Sequence, residues 1–327
     1  MIDTLKQALR PGRDFLLILS GYVYDAYRAC RYGGWTYTQR NDLRRRDYVA
    51  AKIYHSVEKG LAFRTRRKGS GWAAVDRFVE HIQHYGSAKT LHERIGCEVI
   101  LKFLETEQGP AQKANRARRV LAPYAAEGRG GAETMTAARL REGRLDDPER
   151  FFGSRRSVRD FSPRVVERET VMRAAELAAN TPRACNRQSW FTYHIDERSL
   201  IDKALSFQAG NRGFGHEVPY LVILATDQRA FDNANERNQH FIEGGMYSMA
   251  LGLALHSLGL QTCCLNWSKL PADDRAIRKA IPIRPEHNII MMLAVGYAND
   301  SINVCCSPRT PTEEYTTFIE PEARSAR

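Results

Sequence analysis

The chain has 327 residues, 43% hydrophobic and 27% charged, an ordinary globular composition without a low-complexity tract. It has enough apolar material to need neither disulfides nor a structural metal, and its length suits two domains or one domain with a long appendage. The formal charge of +11 is unevenly placed: residues 1–150 hold 28 Lys and Arg against 18 Asp and Glu, net +10, whereas residues 151–327 hold 21 against 20, net +1. A basic first half fits either a solvated helix surface or an acidic partner or anionic membrane surface; no specific nucleic-acid reader is expected.

Residues 1–145 read as a basic, mainly helical region. The first 14 residues are mixed and polar and lack a leader's cleavage pattern, which points to a cytoplasmic protein, with a peripheral membrane position left open. The apolar run at residues 15–23 is shorter than the roughly 20 residues a bilayer span takes, so it is expected as a buried helix turn. Residues 44–59 place Tyr48, Val49, Ile53, Tyr54 and Val57 on one helical face, and residues 72–85 and 91–104 repeat the pattern. Pro110 opens a further helix to Tyr124. Within Tyr54-His-Ser-Val-Glu-Lys-Gly-Leu61, His55, Glu58 and Lys59 could share a face for acid–base work, but a helix stopped by Gly60 explains most of the motif. The Gly-rich stretch at 127–132 is the expected linker.

From residue 146 onward the texture changes. A helix is expected at 167–179, strands at 190–195, 219–225, 260–267 and 288–297, and a helix at 241–258 that is apolar nearly all round and so should be buried. Helices alternating with central strands indicate a layered α+β or α/β domain, without deciding between parallel and antiparallel. Seven cysteines, with adjacent pairs Cys263-Cys264 and Cys305-Cys306, read as reduced thiols. Their spacing fits no ligand frame, so no metal is expected. Asn211-Arg-Gly-Phe-Gly215 follows no strand and is not a dinucleotide fingerprint.

Two polar segments carry the chemistry. Ser154-Arg-Arg-Ser-Val-Arg-Asp-Phe161 packs three arginines and a serine into five residues, a donor set for phosphate, although an Arg-rich turn by itself is more often a solvated surface. Asn180-Thr-Pro-Arg-Ala-Cys-Asn-Arg-Gln-Ser-Trp190 is a polar loop whose Asn186 and Gln188 both donate and accept, as reading a flavin's pyrimidine edge would require, and a helix stop followed by ordinary turn residues explains it at least as well.

These two segments, the Gly-Leu ending of the long helix before residues 261–267, and the strand Asn-Ile-Ile-Met-Met-Leu-Ala-Val-Gly-Tyr-Ala298, in that order, resemble the nitroreductase family. The resemblance covers about 170 residues, 151–319. It implies an α+β fold with a central, mostly antiparallel sheet flanked by helices, an intertwined homodimer with FMN in both subunit interfaces, and a C-terminal arm, 304–319, extending onto the partner. It further implies that Arg155, Ser157 and Arg159, with the backbone of Arg156, bind the FMN phosphate and ribityl chain, joined by Arg309. Asn186 would face the flavin, Pro182, Arg183 and Ala184 would approach the other subunit's flavin, and Cys264, Leu265 and Asn266 would run beside its reactive edge. Arg183-Ala184 replaces the family's usual small serines, so a large cation would project toward the substrate side. The cofactor carries the chemistry in such a site, so no catalytic side chain is expected.

The implied activity transfers hydride or electrons between NAD(P)H, the transient donor, and a small-molecule acceptor such as a nitro compound, a quinone or a biosynthetic intermediate. Two alternatives stand beside it: a flavin-dependent dehydrogenase or oxidase of a biosynthetic intermediate, and a non-catalytic flavin-binding partner protein. The His-Ser-x-Glu-Lys-Gly element, with CNRQSW and CCLNW, is similar to a subgroup associated with bacterial polysaccharide biosynthesis.

Overall fold

The computed structural model describes residues 2–35, 42–65, 69–106, 109–125 and 128–319. Glu127 of the expected linker and residues 320–327 of the expected second domain lie outside the described residues.

Five helices make the first half: α1 Ile2–Tyr32, α2 Leu43–Ala62, α3 Trp72–Tyr85, α4 Leu91–Thr106 and α5 Ala111–Leu121. The apolar stripes of α2 to α5 meet in one core containing Tyr54, Val57, Phe78, Ile82, Ile100, Phe103 and Leu121. Each fully buried Phe or Ile there contributes about 1.5–3 kcal/mol. Asp42 caps α2 by accepting the Arg45 N–H at 3.0 Å, satisfying a donor that the helix cannot. Gly96 lets α4 approach α3, because a Cβ there would sit 2.2 Å from Cζ of Phe78.

Two expectations for this half fail. α2 runs past Gly60 to Ala62, so glycine does not stop it; tertiary contacts along α2 outweigh a propensity cost of about 1 kcal/mol. Residues 15–23 are not buried either, for Phe15, Leu16, Ile18, Leu19, Tyr22 and Val23 are all exposed. α1 is fastened further along by polar anchors. The Tyr24 hydroxyl donates to Asp274 at 2.8 Å, and Arg28 donates to Asn288 at 2.9 Å and to the Pro285 and His287 carbonyls. The apolar turns before these anchors are left uncovered by the described residues.

The second half contains α6 Pro148–Ser154, α7 Arg168–Ala178, β1 Trp190–Ile195, α8 Arg198–Leu205, β2 Tyr220–Asp227, α9 Gln239–Ser257, β3 Gln261–Asn266, α10 Pro271–Ala280 and β4 His287–Gly296. The sheet order is β1-β2-β4-β3, antiparallel throughout. Leu221 and Ile223 of β2 pack on one face with Ile201, Leu205 and Ile277 of α8 and α10. Val222 and Leu224 pack on the other with Val171, Ala174, Leu251 and Leu255 of α7 and α9. A strand covered on both sides has to be apolar at every position, which explains the unbroken run in β2. The domain is therefore an α+β layered structure with an antiparallel sheet flanked by helices, as the sequence resemblance implied.

α9 departs from expectation. Only the face with Glu243, Tyr247, Ser248, Leu251 and Leu255 is buried, while Phe241, Ile242, Met246 and Met249 are exposed.

A charged seam joins the halves. Arg229 bridges Asp227, at 2.7 Å, and Asp42 of the α2 cap, at 2.8 Å, while the Tyr48 hydroxyl donates to Asp227 at 3.2 Å. Burial alone would raise the Asp227 carboxyl, but His287 and Arg229 hold it below the usual carboxylate range.

Candidate functional site

The arginine segment follows α6 as extended chain beside β3. Ser157 bridges Thr262 in parallel fashion, and the Val158 N–H donates to the Thr262 carbonyl at 3.0 Å. Val158 is buried and anchors the segment, leaving Arg155 half-buried and Arg156 and Arg159 exposed. Their recorded partners are weak: Arg156 reaches the Arg155 carbonyl at 3.4 Å, and Arg159 reaches the Ser157 carbonyl at 3.4 Å and Cys305 Sγ at 3.8 Å. Among the described residues none of the three pairs with a carboxylate. Desolvation raises the Cys264 thiol and the Arg155 guanidinium opposes it, so the cluster borders β3. Three uncompensated guanidiniums and a hydroxyl suit a phosphate dianion, the charge the protein itself does not supply.

On β3 the pleat separates the expected residues. Cys264 and Asn266 face outward, whereas Cys263 and Leu265 lie in the core, each 2% exposed, so only the Leu265 backbone remains available to a ligand. Asn266 Nδ2 donates to Ser268 Oγ at 3.1 Å. Arg309 lies on the exposed arm, where its guanidinium donates to the Ser307 carbonyl.

The polar loop is built differently. Pro182 is exposed and lines, with Phe151, Met246, Met249 and Leu253, an apolar groove of about 690 Å3. Arg183 donates to the Ala179 carbonyl at 3.2 Å and lies 5.9 Å from the Trp190 ring centroid; its Nε is buried without a partner, and it forms no ion pair among the described residues. The Ala184 N–H donates to Glu243 Oε1 at 2.8 Å. Cys185 and Asn186 occupy the left-handed region at φ 51° and 57°. Asn186 Nδ2 donates to the Tyr54 hydroxyl at 2.9 Å, and Gln188 is exposed.

Several residues holding this loop escaped the sequence reading. Arg187 is 1% exposed and pairs with Glu236, while its Nε donates to the Ala184 carbonyl at 3.2 Å. Glu243, also 1% exposed, takes the Ala184 N–H and the Ser189 hydroxyl. A lone carboxylate in an otherwise apolar helix was the signal for Glu243, since a buried charge requires partners. Tyr54 read only as a member of a helical stripe, and His92 was not singled out. His55 Nδ1 lies 3.1 Å from Glu58 Oε2, so those two do share a face, while Lys59 is exposed.

The two polar segments meet opposite ends of α9. Glu243 grips the loop, and His256 Nε2 lies 2.9 Å from Ser154 Oγ at the head of the arginine segment. Residues 243 and 256 are 13 apart, about 20 Å along a helix rising ~1.5 Å per residue. Within one chain, therefore, the arginine cluster and the polar loop are anchored at separate ends of α9.

Among the described residues no group of three or more His, Cys, Asp or Glu could hold a metal ion, and no helix is long and apolar enough to cross a membrane.

Residues 153–210 and 201–297 match the model of the nitroreductase family. The chain is 26% identical to a 4-nitrobenzoate reductase from Nocardioides sp. over 218 residues, spanning 50% of this chain and 87% of that protein. It is 25% identical to nitroreductase NfnB from Mycolicibacterium smegmatis over 217 residues, spanning 52% and 92%. Similar solved structures include a nitroreductase-like protein from Streptococcus mutans, at 17% identity and TM-score 0.47 over 54% of this chain and 100% of that one. Another is a nitroreductase with bound FMN from Desulfitobacterium hafniense, at 18% identity and TM-score 0.42, with the same coverage.

Proposed function

Because residues 153–297 form a nitroreductase-family domain, we propose that the protein is an FMN-dependent oxidoreductase passing electrons from NAD(P)H to a small-molecule acceptor. The observation that carries this reading is the uncompensated cluster Arg155, Arg156 and Arg159 with Ser157, set beside the outward-facing Cys264 and Asn266. FMN, when bound, supplies the hydride chemistry. The chain's residues bind and orient it: the guanidiniums neutralise its phosphate, Ser157 adds a hydroxyl, and Arg309 on the arm brings a further cation. Asn186 and Gln188 offer amide groups for the ring's polar edge. Arg183, half-buried without a carboxylate partner, places positive charge at the same loop.

The site is proposed to be shared between two copies of the chain. The 20 Å division along α9, the exposed Phe241, Ile242, Met246 and Met249 on that helix, and the groove beside Pro182 all support a second protomer covering α9. The arm supports it too, since Tyr315, Phe318 and Ile319 are left exposed by the described residues. The helical region, residues 1–145, serves in this reading as a support for the polar loop.

The test is direct. Purified protein should be yellow, dimeric by light scattering, and should bleach anaerobically with NADH or NADPH. A colourless monomer that takes up no added FMN would overturn the proposal. Bleaching by a biosynthetic metabolite but by neither nicotinamide would replace the donor and leave the cofactor assignment standing.

A further inference from the structure

Residues 184–189 hold two consecutive non-glycine residues at positive φ, Cys185 and Asn186. Each such placement costs about 1–2 kcal/mol and persists only where surrounding contacts over-determine it. On the α9 side that restraint is Glu243 and the Arg187–Glu236 pair. On the other side it comes from the helical half.

Tyr54 is 0% exposed. Its hydroxyl accepts from Asn186 Nδ2 at 2.9 Å and lies 2.8 Å from His92 Nδ1. With Asn186 donating, the phenolic proton is free for His92 Nδ1, an arrangement that takes a neutral imidazole carrying its proton on Nε2. Burial lowers the His92 pKa and so favours that neutral form, with Asp47 and Glu58 pulling upward and Arg183 and Arg44 downward. The His92 backbone N–H is held by Asp47 at 2.8 Å, which fixes the start of α4 against α2. In that arrangement the chain runs from Asn186 to Tyr54 to His92. One consequence is that Asn186 Oδ1 accepts no hydrogen bond among the described residues, because its amide nitrogen is the end committed to the protein.

We propose that Tyr54, backed by His92, is a positioning residue of the flavin site: it fixes the Asn186 amide so that the carbonyl oxygen is the group offered to an N–H donor of the bound ring. The helical half is then part of the cofactor site, although its residues need not touch the cofactor. The inference rests on the FMN reading above.

The experiment compares the holoprotein with Tyr54→Phe, Asn186→Ala, the double variant, and Ser56→Ala as a control on the exposed face of α2. FMN dissociation constants, the flavin's reduction potential and thermal melting are measured for each. Loss of one oriented hydrogen bond should weaken FMN about 3- to 10-fold in Tyr54→Phe and shift the potential in the direction seen for Asn186→Ala. The double variant should be no worse than Asn186→Ala alone, because the two residues act through one bond. A purely structural role would lower the melting temperature and leave affinity and potential where they were; that result overturns the proposal, as does additivity of the two substitutions. A wild-type chain that binds no FMN removes the functional reading itself, whereas flavin-loaded wild type with an indifferent Tyr54→Phe removes this inference alone.

Discussion

The two polar segments of the second half are opposites in construction. In the 182–189 loop, Arg183 apart, the polar groups are answered inside the protein: Arg187 by Glu236, and the backbone of Ala184 and the hydroxyl of Ser189 by Glu243. In the 155–159 segment three guanidiniums stand without a carboxylate among the described residues, held in place by the buried Val158 and one strand bond. The first arrangement spends its hydrogen bonds on shape and the second keeps them for something else. A fold that leaves cations open at one end of α9 and locks a loop at the other separates placing a ligand from neutralising it.

The contrast breaks most visibly on the locked side. Arg187→Ala should destabilise the protein by about 3–5 kcal/mol, since it strands Glu236 in a largely desolvated position; chemical denaturation measures it. Near-wild-type stability would mean that the loop is not locked by this pair.

The helical half extends the same logic. Burial would raise the Glu93 carboxyl, but hydrogen bonds from His81, Arg46 and the Thr90 N–H bring it down to about 2. Its folded pKa lies below its unfolded value of about 4.3, so its stabilisation is fully present above that pH and is lost as the pH falls toward about 2. At ~1.4 kcal/mol per unit this amounts to about 3 kcal/mol. Denaturation curves taken between about pH 6 and pH 2.5 should show the loss in wild type and a flatter slope in Glu93→Gln.

The open side predicts the reverse signature. Arg155→Ala should leave the stability of the cofactor-free protein within about 0.5 kcal/mol, because no internal pair is broken. It should weaken FMN binding by about 10- to 100-fold, the range for a lost charge-assisted hydrogen bond of about 1.5–3 kcal/mol. A folding defect without a binding defect would invert the comparison. The smallest effect belongs to His55→Ala, which removes a half-buried pair with Glu58 at the margin of the loop. Its cost should stay below about 1 kcal/mol, and FMN retention should exceed that of Arg155→Ala.

How far the sequence reached follows the same line. The helix stripes and the strands were legible because burial on one face or on two writes a period into the chain, and residues 220–225 of β2 are apolar without a break for that reason. The run at 15–23 and α9 misled because apolarity alone does not say whether the cover comes from the same chain; both expose large side chains. The arginine segment stood out because open charges cluster in sequence. Tyr54 and Asn186 are 132 residues apart, and nothing in either local pattern reveals that one bond joins them. Gly60 pointed to a helix end because local propensity says so, and tertiary packing of α2 prevailed.

The spacing of Glu243 and His256 along α9 has a genetic consequence. If each site draws its cations from one chain and its loop from the other, two different damaged copies can repair each other. Mixed assemblies of Arg155→Ala with Asn186→Ala would contain one site with both defects and one with neither, so co-expression should restore up to half the flavin occupancy that either parent lacks. An allele harmed in the cluster would then be complemented by an allele harmed in the loop, while two alleles harmed in the same segment would fail together.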